Sequence, residues 1–222
     1  MIRKTFFGLA AVLFSAQAFT APIDWTEWKN VTTGVQGQGS ALGTMGSISV
    51  SYSGDVTTPQ DPNKNYWTEV SSAPYTGNTV VDNAPTDPNM IALEESGDKK
   101  IKFDSTVKDP IFAIVSLGRS NQRVTYDFKE SFEVLSEGEG FWGEDTSPPS
   151  IGQNKNALDG DEFHGVLQFQ GHMDSLEWNV SKDEYWHGFA VGSIAAVPEP
   201  GSLALFALGL TGLFGRRAFR RV

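Results

Sequence analysis

The sequence predicts an all-β fold, an antiparallel β-sandwich of the jelly-roll kind, and three observations carry that prediction. Apolar residues recur with a two-residue period in short runs; clusters of Gly, Pro, Asn and Asp separate the runs; and no long amphipathic helical pattern intervenes. Short strands without βα alternation bury their apolar faces by packing as two antiparallel sheets.

Ile48, Val50 and Tyr52 fall on one face of a strand over 47–52, and Ile101 with Phe103 repeats the period. The stretch 111–115 is continuously apolar, too short and too β-branched for a helix, so it is expected as a central strand covered on both faces. Val124, Tyr126 and Phe128 alternate again, and 132–135, 165–169, 175–180 and 185–191 complete the predicted strands. Glycines at 34, 37, 39, 43 and 46 make 34–46 read as a flexible turn region. Their spacing is not G-x-G-x-x-G and no helix follows, which argues against a dinucleotide loop. The two Asp-Pro-Asn triplets at 61–63 and 87–89 read as turns.

Composition fits one domain: 222 residues, 39% of them hydrophobic. The sequence contains no cysteine, so disulfides and Cys-ligated metal sites are ruled out. The first 18 residues have the parts of a signal peptide. Arg3 and Lys4 precede an apolar stretch from Phe6 to Phe14, and Ala16-Gln17-Ala18 forms an A-x-A cleavage site that would leave Phe19 as the mature start. The sandwich is then expected over 19–196.

The other end, 197–222, has its own order of parts. Pro198-Glu199-Pro200 comes first, followed by a short apolar helix expected over 202–215 and an arginine cluster over 216–221 that includes Arg216 and Arg217. The twelve residues from Leu203 to Phe214 would span only ~18 Å of a ~30 Å hydrocarbon core, a marginal crossing. Arginines directly after it favour retention of that end on the cytoplasmic side, with the body outside.

This order resembles the PEP-CTERM sorting signal of Gram-negative bacteria. The resemblance implies a transient inner-membrane anchor, recognised through Pro198, Glu199 and Pro200 and cleaved near them by an exosortase. Signal peptidase would act at the other end, and the product would reach the cell surface or the extracellular matrix. An ordinary C-terminal membrane anchor is the alternative. A second resemblance covers 110–192, where "PIFAIVSLG", "LSEGEGFWG", "GVLQFQG" and "YWHGFAVG" are similar to segments of PEP-CTERM ectodomains of uncharacterised function, presumed β-sandwiches. It assigns no catalytic residue.

The two ends hold six of the 17 basic residues and one of the 27 acidic ones. The body is left with 11 basic and 26 acidic residues, a net charge of −15. Such a surface repels nucleic acid and anionic lipid, whose phosphates need clustered Lys and Arg, and suits divalent cations or neutral glycans.

Three constellations in the body bear on chemistry. Asp61 to Asn65 has calcium-loop oxygen spacing, but Tyr66 and Ser72 stand where an EF-hand needs Gly and Glu. A calcium site of another kind is a candidate there or in the acidic loops 137–145 and 159–162, the last with Asp159, Asp161 and Glu162 as ligands; solvated acidic turns are the alternative. The aromatics Trp25, Trp28, Tyr66, Trp67, Trp142, Tyr185 and Trp186 suggest sugar stacking, with Trp67 and Trp142 in loop-like contexts as the candidate carbohydrate-binding residues. Trp178 alternates with Leu176 and Val180 and is expected in the core. Carboxylates such as Glu137 and Glu144 suit glycoside hydrolysis only at a separation that sequence spacing cannot set. The three histidines lack H-E-x-x-H spacing, and G-x-S-x-G is absent.

The expectation is therefore an exported, exosortase-sorted surface or matrix protein, non-catalytic and associated with exopolysaccharide. The alternatives are a secreted polysaccharide hydrolase or lyase using Glu137, Glu144, Asp159 or Asp161, and a purely structural surface protein.

Overall fold

A computed structural model describes residues 22–61, 63–143 and 149–195. The expected signal peptide, the sorting tail with its expected apolar helix, and Glu144 lie outside the described residues. The strands, in chain order, are β1 (Ile23–Trp25), β2 (Glu27–Thr32), β3 (Gly34–Met45), β4 (Ile48–Val56), β5 (Ile91–Leu93), β6 (Gly97–Lys108) and β7 (Ile111–Leu117). They continue as β8 (Val124–Phe128), β9 (Phe132–Glu137), β10 (Ser150–Ile151), β11 (Ala157–Gly160), β12 (Phe163–Phe169), β13 (His172–Val180) and β14 (His187–Ile194). The short helix α1 (Ala73–Thr76) and a 3₁₀ turn (Asp87–Asn89) lie in the segment between β4 and β5.

The strands form two antiparallel sheets, one ordered β1-β14-β7-β12-β9 with β5 also on β14, the other β10-β11-β8-β13-β6-β4-β3-β2. From β5 to β8 the chain changes sheet at every connection, and it does so again from β11 to β14. This gives the paired four-strand cores β5-β14-β7-β12 and β6-β13-β8-β11, the wrapped arrangement of a jelly roll.

Alternation along the strands explains the layers. Phe112, Ile114 and Leu117 of β7 face the second sheet, where they meet Tyr126 and Phe128 of β8, Leu176 and Trp178 of β13 and Ile101 of β6. Phe112 is the hub: its ring stacks on Phe189 at 5.1 Å and meets Trp178 and Phe128 edge-on at 5.3 and 5.5 Å. Ile111, Ala113 and Val115, on the other face of β7, join a second core closed by Tyr66, Trp67, Tyr75 and Val81 of the β4–β5 segment. Both faces of β7 are therefore covered, and it lies between β14 and β12, as its unbroken apolar run predicts.

The glycine-rich stretch corrects the sequence reading. It forms β3, hydrogen-bonded to both β2 and β4, rather than a flexible turn region. A Cβ on Gly39 would lie 2.6 Å from the Val56 nitrogen, and one on Gly43 would lie 2.5 Å from the Glu27 carbonyl oxygen. Glycine there admits the neighbouring backbones. Among the described residues no helix is long and apolar enough to cross a membrane.

Candidate glycan-binding cleft

At one end of the first sheet a cleft of about 120 Å³ opens between the β7–β8 turn, the β11–β12 turn and the β13–β14 connection, lined among others by Ser116, Arg119, Trp142, Glu162, Glu184 and Tyr185. By liquid density it holds about four waters.

A bulge builds its floor. Phe163 pairs with Leu117 and Gly165 with Ile114, so Val115 and Ser116 together oppose His164. The extra residue turns Ser116 away from the inter-sheet core and into the cleft. Ser116 and Glu162 hold positive φ values of 60° and 87°, a conformation disfavoured for residues with a Cβ and one that concentrates at functional sites. The Ser116 hydroxyl donates to Glu162 Oε1.

Beneath them His164 is buried. Its Nδ1 accepts the Ser116 backbone N–H at 3.2 Å and lies 3.2 Å from the Tyr75 hydroxyl. Because a backbone N–H can only donate, the neutral ring carries its proton on Nε2, which lies 3.4 Å from Glu162 Oε1. Burial raises the Tyr75 phenol far above its ordinary value, reinforced by the Glu162 charge, so Tyr75 stays a neutral donor.

Glu184 is fixed from two sides: Oε2 accepts the Gly118 N–H at 2.9 Å and Oε1 lies 2.7 Å from His187 Nδ1. Arg119 donates through Nε and Nη2 to Gln122 Oε1 at 3.0 and 2.6 Å, and Gln122 in turn donates to the Asp183 carbonyl. The polar wall is thus ordered before any ligand arrives, which reduces the entropic cost of binding.

Aromatic rings form the opposite wall. Trp142 stacks on Tyr66 with centroids 5.0 Å apart and planes 16° from parallel, and Trp186 and Phe141 pack against the pair at 4.6 to 5.0 Å. Trp142 is 39% exposed and Tyr185 73% exposed, so both offer ring surface to solvent.

The two tryptophans proposed together from sequence therefore part company. Trp142 lines the cleft, whereas Trp67 has no exposed surface and packs edge-on to Tyr75 at 5.0 Å in the second core. Its indole closes the apolar face of the first sheet, so its ring has no face to offer a sugar. Trp178 is in the core.

The proposed calcium ligands are not brought together. Asp159 pairs with Arg123 Nε at 2.7 Å and accepts from Thr125 Oγ1 on the second sheet. Asp161 is buried, and Glu162 is turned to Ser116 and His164. Among the described residues no group of three or more Asp, Glu or His is placed to hold a metal ion. Glu137 is exposed at the end of β9, away from the cleft lining.

Sequence reasoning named Tyr185 and Trp186 only as aromatics and missed Ser116, Arg119 and Glu184, because strand β7, the turn after it and the β13–β14 connection meet only in the fold. The legible signal was the dense Glu184-Tyr185-Trp186-His187 run.

A larger groove, about 450 Å³, crosses the outer face of the second sheet. Its charged side chains already have partners: Lys100 and Lys129 both bond Glu177, and Asn179 and Asn156 donate to Asp98 and Asp127 at 2.8 and 3.1 Å. The aromatics behind it, Phe128 and Trp178, are buried. The smaller cleft is the one that presents exposed rings.

Fold and cleft thus define an acidic jelly-roll sandwich with a preordered, aromatic-walled surface site. Residues 196–221 match the family model of the PEP-CTERM protein-sorting motif. The chain therefore carries a signal for export and C-terminal sorting to the cell surface that implies processing by an exosortase. No curated protein and no solved structure matches the chain.

Proposed function

We propose that the sandwich is a non-catalytic module through which an exosortase-sorted surface protein binds extracellular polysaccharide. The observation that carries this reading is the pairing of exposed Trp142 and Tyr185 rings with Glu162 and Arg119 across one small cleft. Aromatic faces stack on the C–H faces of pyranose rings, while fixed carboxylate and guanidinium groups bond hydroxyls. A neutral glycan fits an acidic body better than a polyanion does.

The test is co-sedimentation of the processed protein with the producing cells' own extracellular polysaccharide. Saturable binding that weakens in Trp142→Ala is expected; equal recovery with and without polysaccharide would sink the proposal.

A polysaccharide hydrolase or lyase is the second reading, favoured by Glu162 and Glu184 lining one cleft. One oxygen of Glu184 accepts from Gly118 and the other lies against His187 Nδ1, which suits an orienting role. Shortening of the polysaccharide by the wild-type protein, abolished in Glu162→Gln, would establish the hydrolase instead.

A further inference from the structure

A buried ion pair in the second sheet is unrelated to the cleft and unexplained by glycan binding. Asp55 lies near the end of β4 and Lys99 on β6, and these strands pair antiparallel with Ser53 opposite Lys100. Continuing that register places Gly54 opposite Lys99. The lysine stem packs across Gly54, where a Cβ would lie 2.6 Å from Lys99 Cδ and 2.2 Å from the Tyr52 hydroxyl oxygen. Glycine leaves the lane through which the amine reaches Asp55.

The two side chains are 1% and 3% exposed. Ion pairs this deep gain little net stability, because desolvation offsets their attraction. Nζ lies 3.0 Å from Asp55 Oδ1, yet Oδ1 has no hydrogen-bond partner. Nζ donates to the carbonyls of Ser96 and Gly97, both at 3.1 Å. Asp55 Oδ2 accepts two backbone N–H groups, from Glu94 at 2.8 Å and Glu95 at 2.9 Å. Paired N–H donors on a carbonyl-type oxygen are what stabilise the oxyanion of an acyl-transfer intermediate. Tyr52 fixes the backbone there by donating to the Asp55 carbonyl at 3.0 Å.

We propose that Lys99 and Asp55 condense into an intramolecular amide that cross-links β4 to β6. In the first step a proton passes across the 3.0 Å contact from the ammonium to Oδ1, leaving an amine beside a carboxylic acid. The Nζ lone pair attacks Cγ, and the developing negative charge on Oδ2 is held by the Glu94 and Glu95 N–H groups. A second proton moves from Nζ to Oδ1, the Cγ–Oδ1 bond breaks, and that oxygen leaves as water. One ammonium and one carboxylate become one amide and one water, with no redox change and no added reactant. The fold supplies the proximity that makes such a condensation effectively unimolecular. Two buried charges are replaced by a neutral group whose oxygen keeps both N–H donors.

The test is peptide mapping of the protein recovered from the producing cells, denatured and digested with a protease that cuts after Lys and Arg. The expected product is a branched peptide joining 30–64 to 65–100, one water lighter than the two linear peptides together and uncut after Lys99. Recovery of linear 30–64 and of 65–99 cut after Lys99, without the branched species, would overturn the proposal. Lys99→Arg keeps the charge but has no amine able to lose its proton. A branched peptide persisting in that variant would overturn the assignment to Lys99, and the wild-type map stands even if the variant does not fold.

Discussion

Trp67 and Trp142 look alike in the sequence, each in a polar, turn-rich context, and the structure predicts that replacing them by alanine fails in opposite ways. Trp67 is wholly buried and touches Tyr75 edge-on. Its truncation leaves a cavity between the β4–β5 segment and the first sheet, at a cost of about 3–5 kcal/mol. For a domain of this size each kcal/mol moves Tm by roughly 2–4 °C, so the loss is about 6–20 °C. Trp142 is 39% exposed and leans on Tyr66. Losing that partly solvated stack costs about 1–2 kcal/mol, a Tm shift of roughly 2–8 °C. Under the glycan-binding proposal it also removes a ligand stack worth up to about 1.5 kcal/mol, about tenfold in Kd. Thermal melts and polysaccharide titrations of both variants at a temperature where each is folded make the comparison. If Trp67→Ala melts like the wild type, the second core is wrongly assigned. If Trp142→Ala binds with unchanged Kd, the cleft is not the glycan site.

The other predictions concern linkage, backbone geometry and processing. Hydrogen bonds from Lys100 and then Lys129 hold the Glu177 carboxyl at about 2, below its ordinary 4.5. The stabilisation is therefore complete above pH 4.5 and lost as pH falls toward 2, so Glu177→Gln should flatten the denaturant midpoint across that window; an identical pH profile would refute the linkage. Gly118 has φ +75°, and a Cβ there would lie 2.2 Å from the Gly160 carbonyl oxygen, so Gly118→Ala should cost at least about 2 kcal/mol in a denaturant melt and displace Glu184. His164→Phe strands the Ser116 N–H and the Tyr75 hydroxyl in the interior, for a loss of about 2–4 kcal/mol, measurable the same way. Intact mass of the protein from the producing cells should end near Pro198 to Pro200; a species retaining Arg216 to Val222 would show that the tail stays on.

What the sequence by itself determined is local or ordered along the chain. The two-residue period of Val124, Tyr126 and Phe128 gives β8 with its inward face, and the unbroken run from Ile111 to Val115 gives a strand covered on both sides. The sorting motif is likewise legible, because its parts act in linear order. Tertiary structure decided what depends on distant neighbours. The glycines of β3 read as a turn until Val56 and Glu27 are seen pressing on them. Nothing in the sequence marks Lys99 for the interior, where Gly54 makes room for its stem and Asp55 meets its amine. The cleft gathers Ser116, Trp142, Glu162 and Glu184 from turns up to 68 residues apart in the chain. Pairing of strands remote in sequence sets which turns meet at one end of a sandwich, and a two-residue period carries no information about that pairing.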